Sequence, residues 1–285
     1  MPVADQTSKN QAKPARTQRG IQSIEVGGRL LSSLTQSAEP MSLKDLAQAS
    51  EMPAAKAHPY LVSFGKLGLV EQDPRTSRYE LGPLALQMGL TCLRRLNPVR
   101  LGAQTVSELA TTTHQTAALA VWGNAGPTIV HIEESTHPVH VNMRTGTVMS
   151  LFNTATGRVF ATWLPQEVIE QHIALATQQA IAYPESDERS SWDDMRSTLL
   201  GIRKRGMARV IGEPLPGINA LSAPVFDHQG RLSLVVTLFG PNTHFDPSWE
   251  GKIAAALRQC CDGLSHRLGS QDSAQNITLS PAPKP

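Results

Sequence analysis

The residues from Ile21 to Leu81 leave little choice of fold. Ile24, Leu30, Leu31 and Leu34 recur at helical spacing and predict a helix ending near Gln36. Ser42, with Asp45 three residues on, is close to a capping box and opens a short helix whose apolar positions are Leu43, Leu46 and Ala47. Glu51-Met52-Pro53 breaks the pattern, and Pro53 reads as the first residue of a third helix, where its missing N–H costs nothing. That helix runs to about Lys66, with Ala57, Leu61, Phe64 and Leu67 facing inward, and Gly68 ends it. A strand over 69–72, the turn Asp73-Pro74-Arg75-Thr76 and a strand over 77–81 complete the series. Helix, helix, short turn, helix, hairpin is the order of a winged helix-turn-helix.

The chain has 285 residues, which accommodates a second, larger domain. Its net charge is only +2, so any potential that attracts a polyanion has to be local. Residues 1–20 are polar and aperiodic, with Lys9, Lys13, Arg16 and Arg19 against the single acid Asp5. They read as a disordered basic tail, either a solubilising arm or an arm that scans a phosphate backbone. They contain no apolar run of the secretory kind, and the longest one in the chain, near 232–239, is far too short to cross a bilayer. Cys92, Cys260 and Cys261 form no framework, and the adjacent pair reads as small hydrophobes on a helix. A cytoplasmic location with no membrane association is expected.

Residues 84–98 read as a linker helix ending at Asn97-Pro98. Over 99–268 the expected order is a long helix to His114 and strands over 116–123, 128–134 and 139–144. Helices follow from about 155, over 167–176 and over 191–205. Strands over 207–212, 217–226 and 232–240 come next, then a final helix with Asp246 as N-cap and Pro247 at its first position. The fold class is α+β, with a mostly antiparallel sheet in the second domain. Residues 269–285 read as a disordered tail.

Two blocks carry a further resemblance. The run from Leu43 to Gly82, LKDLAQASEMPAAKAHPYLVSFGKLGLVEQDPRTSRYELG, resembles the winged helix of the IclR family of bacterial regulators. NTATGRVFATWLP and IRKRGMARVIGEPLPGINALSAPVFDHQG resemble its effector domain. The resemblance implies homodimers or homotetramers that bind palindromic double-stranded DNA operators. It implies a small-molecule effector, often an organic or aromatic acid, held in the C-terminal domain, and no catalysis. Repressors and activators both occur in the family. Its effector loop maps onto Ala155, Thr156 and Gly157, and further pocket positions map onto Val210, Ala220, Ser222, Thr237 and Phe239. Some members carry an acid at the position of Val210.

On a winged helix the third helix reads base edges, so its outward positions are the candidates: Ala54, Ala55, Lys56, His58, Pro59 and Ser63. Lys56 and His58 suit base or phosphate contact, and the two alanines suit thymine methyls. Ser42 and Lys44 suit phosphate anchoring, and Arg75 and Arg78 sit on the wing. Pro59 departs from the family, which commonly has arginine there. Inside a helix it removes the bond to the Ala55 carbonyl, so the helix is expected to kink or to start late. A separate alternative is therefore an oligomeric small-molecule sensor with weakened or lost DNA binding. His131, Glu133, Glu134, His137 and His140 invite a metal reading, but alternation on a hairpin puts Glu134 on the opposite face from His131 and Glu133, which favours a polar rim. No nucleophile elbow, P-loop, HExxH or dinucleotide fingerprint is present, so neither an enzyme nor a cofactor is expected.

Overall fold

The structure is a computed structural model, and it describes residues 20–135, 143–178 and 192–271. Chain contacts divide it between Arg95 and Leu96 into two compact units. Both tails lie outside the described residues, apart from a few positions at their inner ends.

The first unit is built from α1 (Gln22–Gln36), α2 (Leu43–Ala49), α3 (Ala54–Leu67), β1 (Val70–Gln72), β2 (Tyr79–Leu81) and α4 (Pro83–Arg95). Its core gathers Leu30, Leu34, Leu46, Ala47, Ala57, Leu61, Val70 and Tyr79. Apolar residues three and four apart on each helix converge there, and Tyr79 closes the core from the hairpin. β1 and β2 pair antiparallel, with Val70 opposite Leu81 and Gln72 opposite Tyr79.

Three expectations change here. Pro53 is the N-cap of α3, with extended backbone at ψ 143°, and the helix begins at Ala54. α3 therefore does not start late; it runs unbroken past Pro59 to Leu67. Ile24 and Leu67, expected inside, are 69% and 60% exposed, because each sits just past the edge of its helix's buried stripe. Gly68 ends α3 at φ +74°, a left-handed position that suits glycine.

The second unit contains α5 (Pro98–Thr113), β3 (Thr116–Gly123), β4 (Gly126–Glu133), α6 (Ala155–Trp163), α7 (Gln166–Gln178), α8 (Trp192–Arg205), β5 (Ala208–Ile211), β6 (Ile218–Phe226), β7 (Leu232–Pro241) and α9 (Lys252–Arg267). The five strands form one sheet in the order β4-β3-β7-β6-β5, and every neighbouring pair is antiparallel. Strand alternation gives each face its own core. Leu119, Leu221, Val225, Leu234, Val236 and Leu238 pack with Val106 and Leu109 of α5 and with Leu257, Cys261 and Leu264 of α9. Ala118, Ala120, Val210, Phe226, Val235 and Phe239 pack on the other face with Val159, Phe160 and Trp163 of α6.

The final helix begins five residues later than expected. Asp246 accepts the Ser248 amide at 2.9 Å in a local turn, Gly251 is the N-cap, and α9 starts at Lys252. An Asp-Pro pair suits a turn as well as it suits a helix start, and here the turn prevails. The strand expected over 139–144 lies mostly outside the described residues, and residues 143 and 144 belong to no strand. Cys261 is buried and its thiol pKa is pushed up by that burial, in keeping with a packing role. No described helix is long and apolar enough to cross a membrane.

Candidate functional site

In the first unit, Ala54, Ala55, Lys56, His58, Pro59 and Ser63 are all exposed, while Ala57 and Leu61 hold the opposite side of α3 in the core. One face of a 3.6-residue repeat is thereby left free for a groove. Not every hydrogen-bonding group on it is free. The Ser63 hydroxyl donates to the Pro59 carbonyl at 2.9 Å. Pro59 itself leaves the Ala55 carbonyl without its usual helical donor.

Ser42 caps α2. Its Oγ accepts the Asp45 amide at 3.2 Å and its hydroxyl donates to Asp45 Oδ2 at 2.7 Å. That proton is committed to the cap, so Ser42 serves the helix, and Lys44, exposed beside it, is the side chain left for a phosphate. Ser42→Ala is expected to destabilise the first unit by about 1 kcal/mol, with Ser42→Asp retaining most of it. Urea unfolding of the variants checks this.

On the wing, the Arg75 side chain is 90% exposed, and its Nε is 4.0 Å from Asp73. Arg78 is exposed but donates through Nη1 to the Pro40 carbonyl at 2.8 Å, which fixes its stem and leaves its other guanidinium donors. Glu71 lies directly opposite Glu80 across the hairpin, so the strands are acidic and the positive charge collects at the tip. The +2 net charge thus hides a locally cationic surface on α3 and the wing tip.

In the second unit, a cavity of about 70 Å³ lies between the N-terminus of α6 and the sheet. Antiparallel register assembles its floor. Val210, Ala220 and Phe239 are cross-strand partners in one row, and Ala208, Ser222 and Thr237 form the next row on the same face. Six expected positions line the cavity: Ala155, Thr156, Val210, Ala220, Thr237 and Phe239. Gly157 and Ser222 do not. A Cβ on Gly157 would run into the carbonyls of Ser150 and Leu151, so this glycine lets α6 pack against the 150–151 backbone. Its amide donates to the Thr154 cap at 3.0 Å and is unavailable to a ligand. Ser222 is fully buried, and among the described residues its hydroxyl reaches only Thr237 Oγ1, at 2.7 Å.

Sequence reasoning missed Met143, Met149, Thr154, Glu213, Pro214, Leu215 and Ile218, which complete the lining. Several belong to the loop over 212–217 that joins β5 to β6, to which the sequence reading assigned no role. Among the described residues, Glu213 is the only ionisable side chain in the lining, and it is exposed. Arg158, half-buried, donates from Nε to the Phe152 carbonyl at 2.6 Å. Burial pulls its pKa down, and the field of Glu213 opposes that shift. The rest of the wall is apolar apart from Thr154, Thr156 and Thr237.

His131 and Glu133 share a face as expected, with His131 Nε2 3.4 Å from Glu133 Oε2, which also accepts the Ser107 hydroxyl at 2.9 Å. No group of three or more metal-ligating residues occurs among the described residues. Positions 137 and 140 of that reading lie outside them.

Comparison with known proteins agrees with this two-part arrangement. Residues 23–74 match the family model described as the IclR helix-turn-helix domain, and residues 91–266 match that described as bacterial transcriptional regulator IclR C-terminal. The glycerol operon regulatory protein of Streptomyces griseus is 28% identical over 258 residues, covering 88% of this chain and 98% of its own length. The crystal structure of Pseudomonas aeruginosa HmgR superposes with a TM-score of 0.76 at 35% identity, covering 88% of this chain and 99% of HmgR. The Agobacterium tumefaciens repressor BlcR, 20% identical with a TM-score of 0.72 over 88% of this chain and 99% of its own, shares the fold. The chain belongs to the IclR family, as a transcriptional regulator with an N-terminal helix-turn-helix that binds DNA and a C-terminal domain that binds a small-molecule effector.

Proposed function

We propose that the cavity beneath α6 takes a small organic acid and that its occupancy controls how α3 and the wing tip engage a DNA operator. The observation that carries this is the cavity's one-sided polarity. Ala155 and Thr156 line it and stand at the first turn of α6, where amide N–H groups have no helical partner and the dipole is positive. The Thr156 and Thr237 hydroxyls stand beside them, and the facing wall is Val210, Ala220, Phe239 and Ile218. A carboxylate suits the first side and a short apolar body the second. Glu213 repels an anion from the exposed end, which leaves the inner end for the carboxylate.

Titration calorimetry with two- to five-carbon carboxylates and their methyl esters tests this. Saturable binding of an acid at one per chain, absent for its ester, is expected. Esters binding as well as acids would remove the acid reading. Ala220→Phe fills the cavity from a half-buried position and should cut acid affinity at least about a hundredfold with the fold retained. Ala155 is a poorer place to block the site, because it is only 2% exposed and a large residue there would strain the core.

For the DNA side, Lys56, Arg75 and Arg78 are the proposed phosphate contacts, with Lys44 beside them and His58, Ala54 and Ala55 facing bases. Turnover has no part in this reading, and the named relatives are regulators. A homodimer or higher oligomer is proposed as the working form. α4 buries none of its side chains, and Leu84, Leu86, Met88, Leu90 and Leu93 on it are exposed, which a water-soluble helix does not sustain alone. Placing glutamate at both Leu86 and Leu90 should weaken self-association roughly a hundredfold, read by sedimentation equilibrium. Unchanged association would move the interface off α4.

A further inference from the structure

Helical spacing of about 100° per residue puts Ala55, Pro59, Val62 and Lys66 within an arc of roughly 60° on α3. Ala57, Tyr60, Leu61 and Phe64, which pack α3 into the core of the first unit, centre on the opposite side. Every residue of the outward line is exposed, and all but Lys66 present only carbon. Val62, 44% exposed, is the largest of the apolar ones. Lys56, His58 and Ser63 flank the line, and the Ser63 hydroxyl proton is already held by the Pro59 carbonyl. The crest of α3 is therefore hydrocarbon, with Lys56 towards one end and Lys66 at the other.

Helix formation does not call for valine here. At an exposed helical position it is a poorer choice than alanine, leucine or lysine, because its branched Cβ crowds the preceding turn. The same stiffness is an advantage in a groove. Valine in a helix keeps to one χ1 rotamer, so it presents two methyl groups without the rotamer entropy that a long cationic side chain forfeits on contact. In the major groove thymine alone offers an apolar group, its C5-methyl, whereas adenine, guanine and cytosine offer donors and acceptors. An isopropyl group pressed on those polar edges strips their water and returns no hydrogen bond, which is unfavourable. Against a thymine methyl it buries carbon on carbon.

We infer that Val62 reads a thymine methyl of the operator and is a specificity-determining residue of α3, with Ala55 and Pro59 extending the apolar surface beside it. The cations that bracket the line suit a polyanion and disfavour a second copy of the same face. The inference rests on the reading of α3 as the helix that enters the groove. It adds to that reading a residue and a base that the charged positions do not select.

The probe is a duplex selected from a random-sequence library by the full-length protein. It is resynthesised with deoxyuridine replacing one thymine at a time, which removes the methyl and keeps every hydrogen-bonding group. Fluorescence anisotropy should show a loss of affinity of about three- to tenfold at one thymine or more. Val62→Ala, an exposed change to a better helix former, should fold as the wild type does. It should bind the thymine and deoxyuridine duplexes alike at that position and leave losses at other positions as they were. Val62→Ile keeps a branched apolar side chain and should keep the discrimination. Lys56→Ala should weaken both duplexes equally, which checks the placement of α3. The absence of any deoxyuridine penalty, or penalties that Val62→Ala leaves unchanged, overturns Val62 as the reader; if Lys56→Ala still weakens binding, α3 keeps its place in the groove. If neither variant changes affinity, the groove helix is misplaced and the inference falls with it. Weaker self-association of Val62→Ala in sedimentation equilibrium, with DNA affinity unchanged, would assign the strip to a second copy. Failure of the library to enrich any sequence removes base reading by α3, and the inference with it.

Discussion

Gly157→Ala is expected to destabilise the second unit by about 3 kcal/mol. The added methyl would point at the carbonyl oxygens of Ser150 and Leu151 and at the Leu151 Cα, all of them backbone. No side-chain rotation relieves that contact; either α6 lifts from the 150–151 segment or the segment moves. Both routes disturb Leu151, Phe152, Ala155 and Val159, which are buried together. The same displacement shifts Thr156 relative to Thr237, where 2.7 Å separates the two oxygens. Acid binding should therefore fall with stability. Thermal unfolding and calorimetry on the same samples check it. Unchanged stability would mean that α6 and the 150–151 segment can part to admit the methyl.

Pro59→Arg should tighten operator binding and stabilise the first unit. Proline is the costliest residue in a helix interior, by roughly 3 kcal/mol against alanine, and the cost comes from the missing bond to Ala55 and from ring crowding. α3 carries that cost within an unbroken helix, so arginine recovers part of it, on the order of 1–3 kcal/mol. The side chain is exposed on the same face as Lys56 and Ser63. A guanidinium there would add one phosphate contact per bound chain and steepen the dependence of log affinity on log salt by about 0.9. Operator affinity over a salt series, with urea unfolding beside it, reads both effects. A lower stability with an unchanged slope would mean that Pro59 shapes α3 for its groove.

The winged helix was legible because its information is local. Turn chemistry at Asp73-Pro74, the cap at Ser42 and the stop at Gly68 act over a few residues, and the structure keeps all three. The antiparallel sheet and its flanking helices were legible for the same reason, since alternation and helical spacing report each element's own buried face. Where two local readings competed, sequence chose wrongly. Asp246-Pro247 suits a helix start and a turn alike, and only the packing of α9 selects the turn. Ile24 and Leu67 fit the inward stripe, but the width of the contact on α1 and α3 decides that they stay exposed.

The cavity divides along the same line. The sequence, through its likeness to a family, named Ala155, Thr156, Val210, Ala220, Thr237 and Phe239, and its periodicity put the last four on strands. It misplaced Gly157 and Ser222, and it missed Met143, Met149 and the loop at Glu213. Amino-acid order determined the elements, their polarity and the two-domain plan, because those follow from contacts between near neighbours in the chain. Tertiary structure alone decided which side chains meet. Residue 156 lies far in sequence from 222 and 237, and the three hydroxyls meet only because strand register and the seating of α6 on a glycine bring their oxygens to hydrogen-bonding distance.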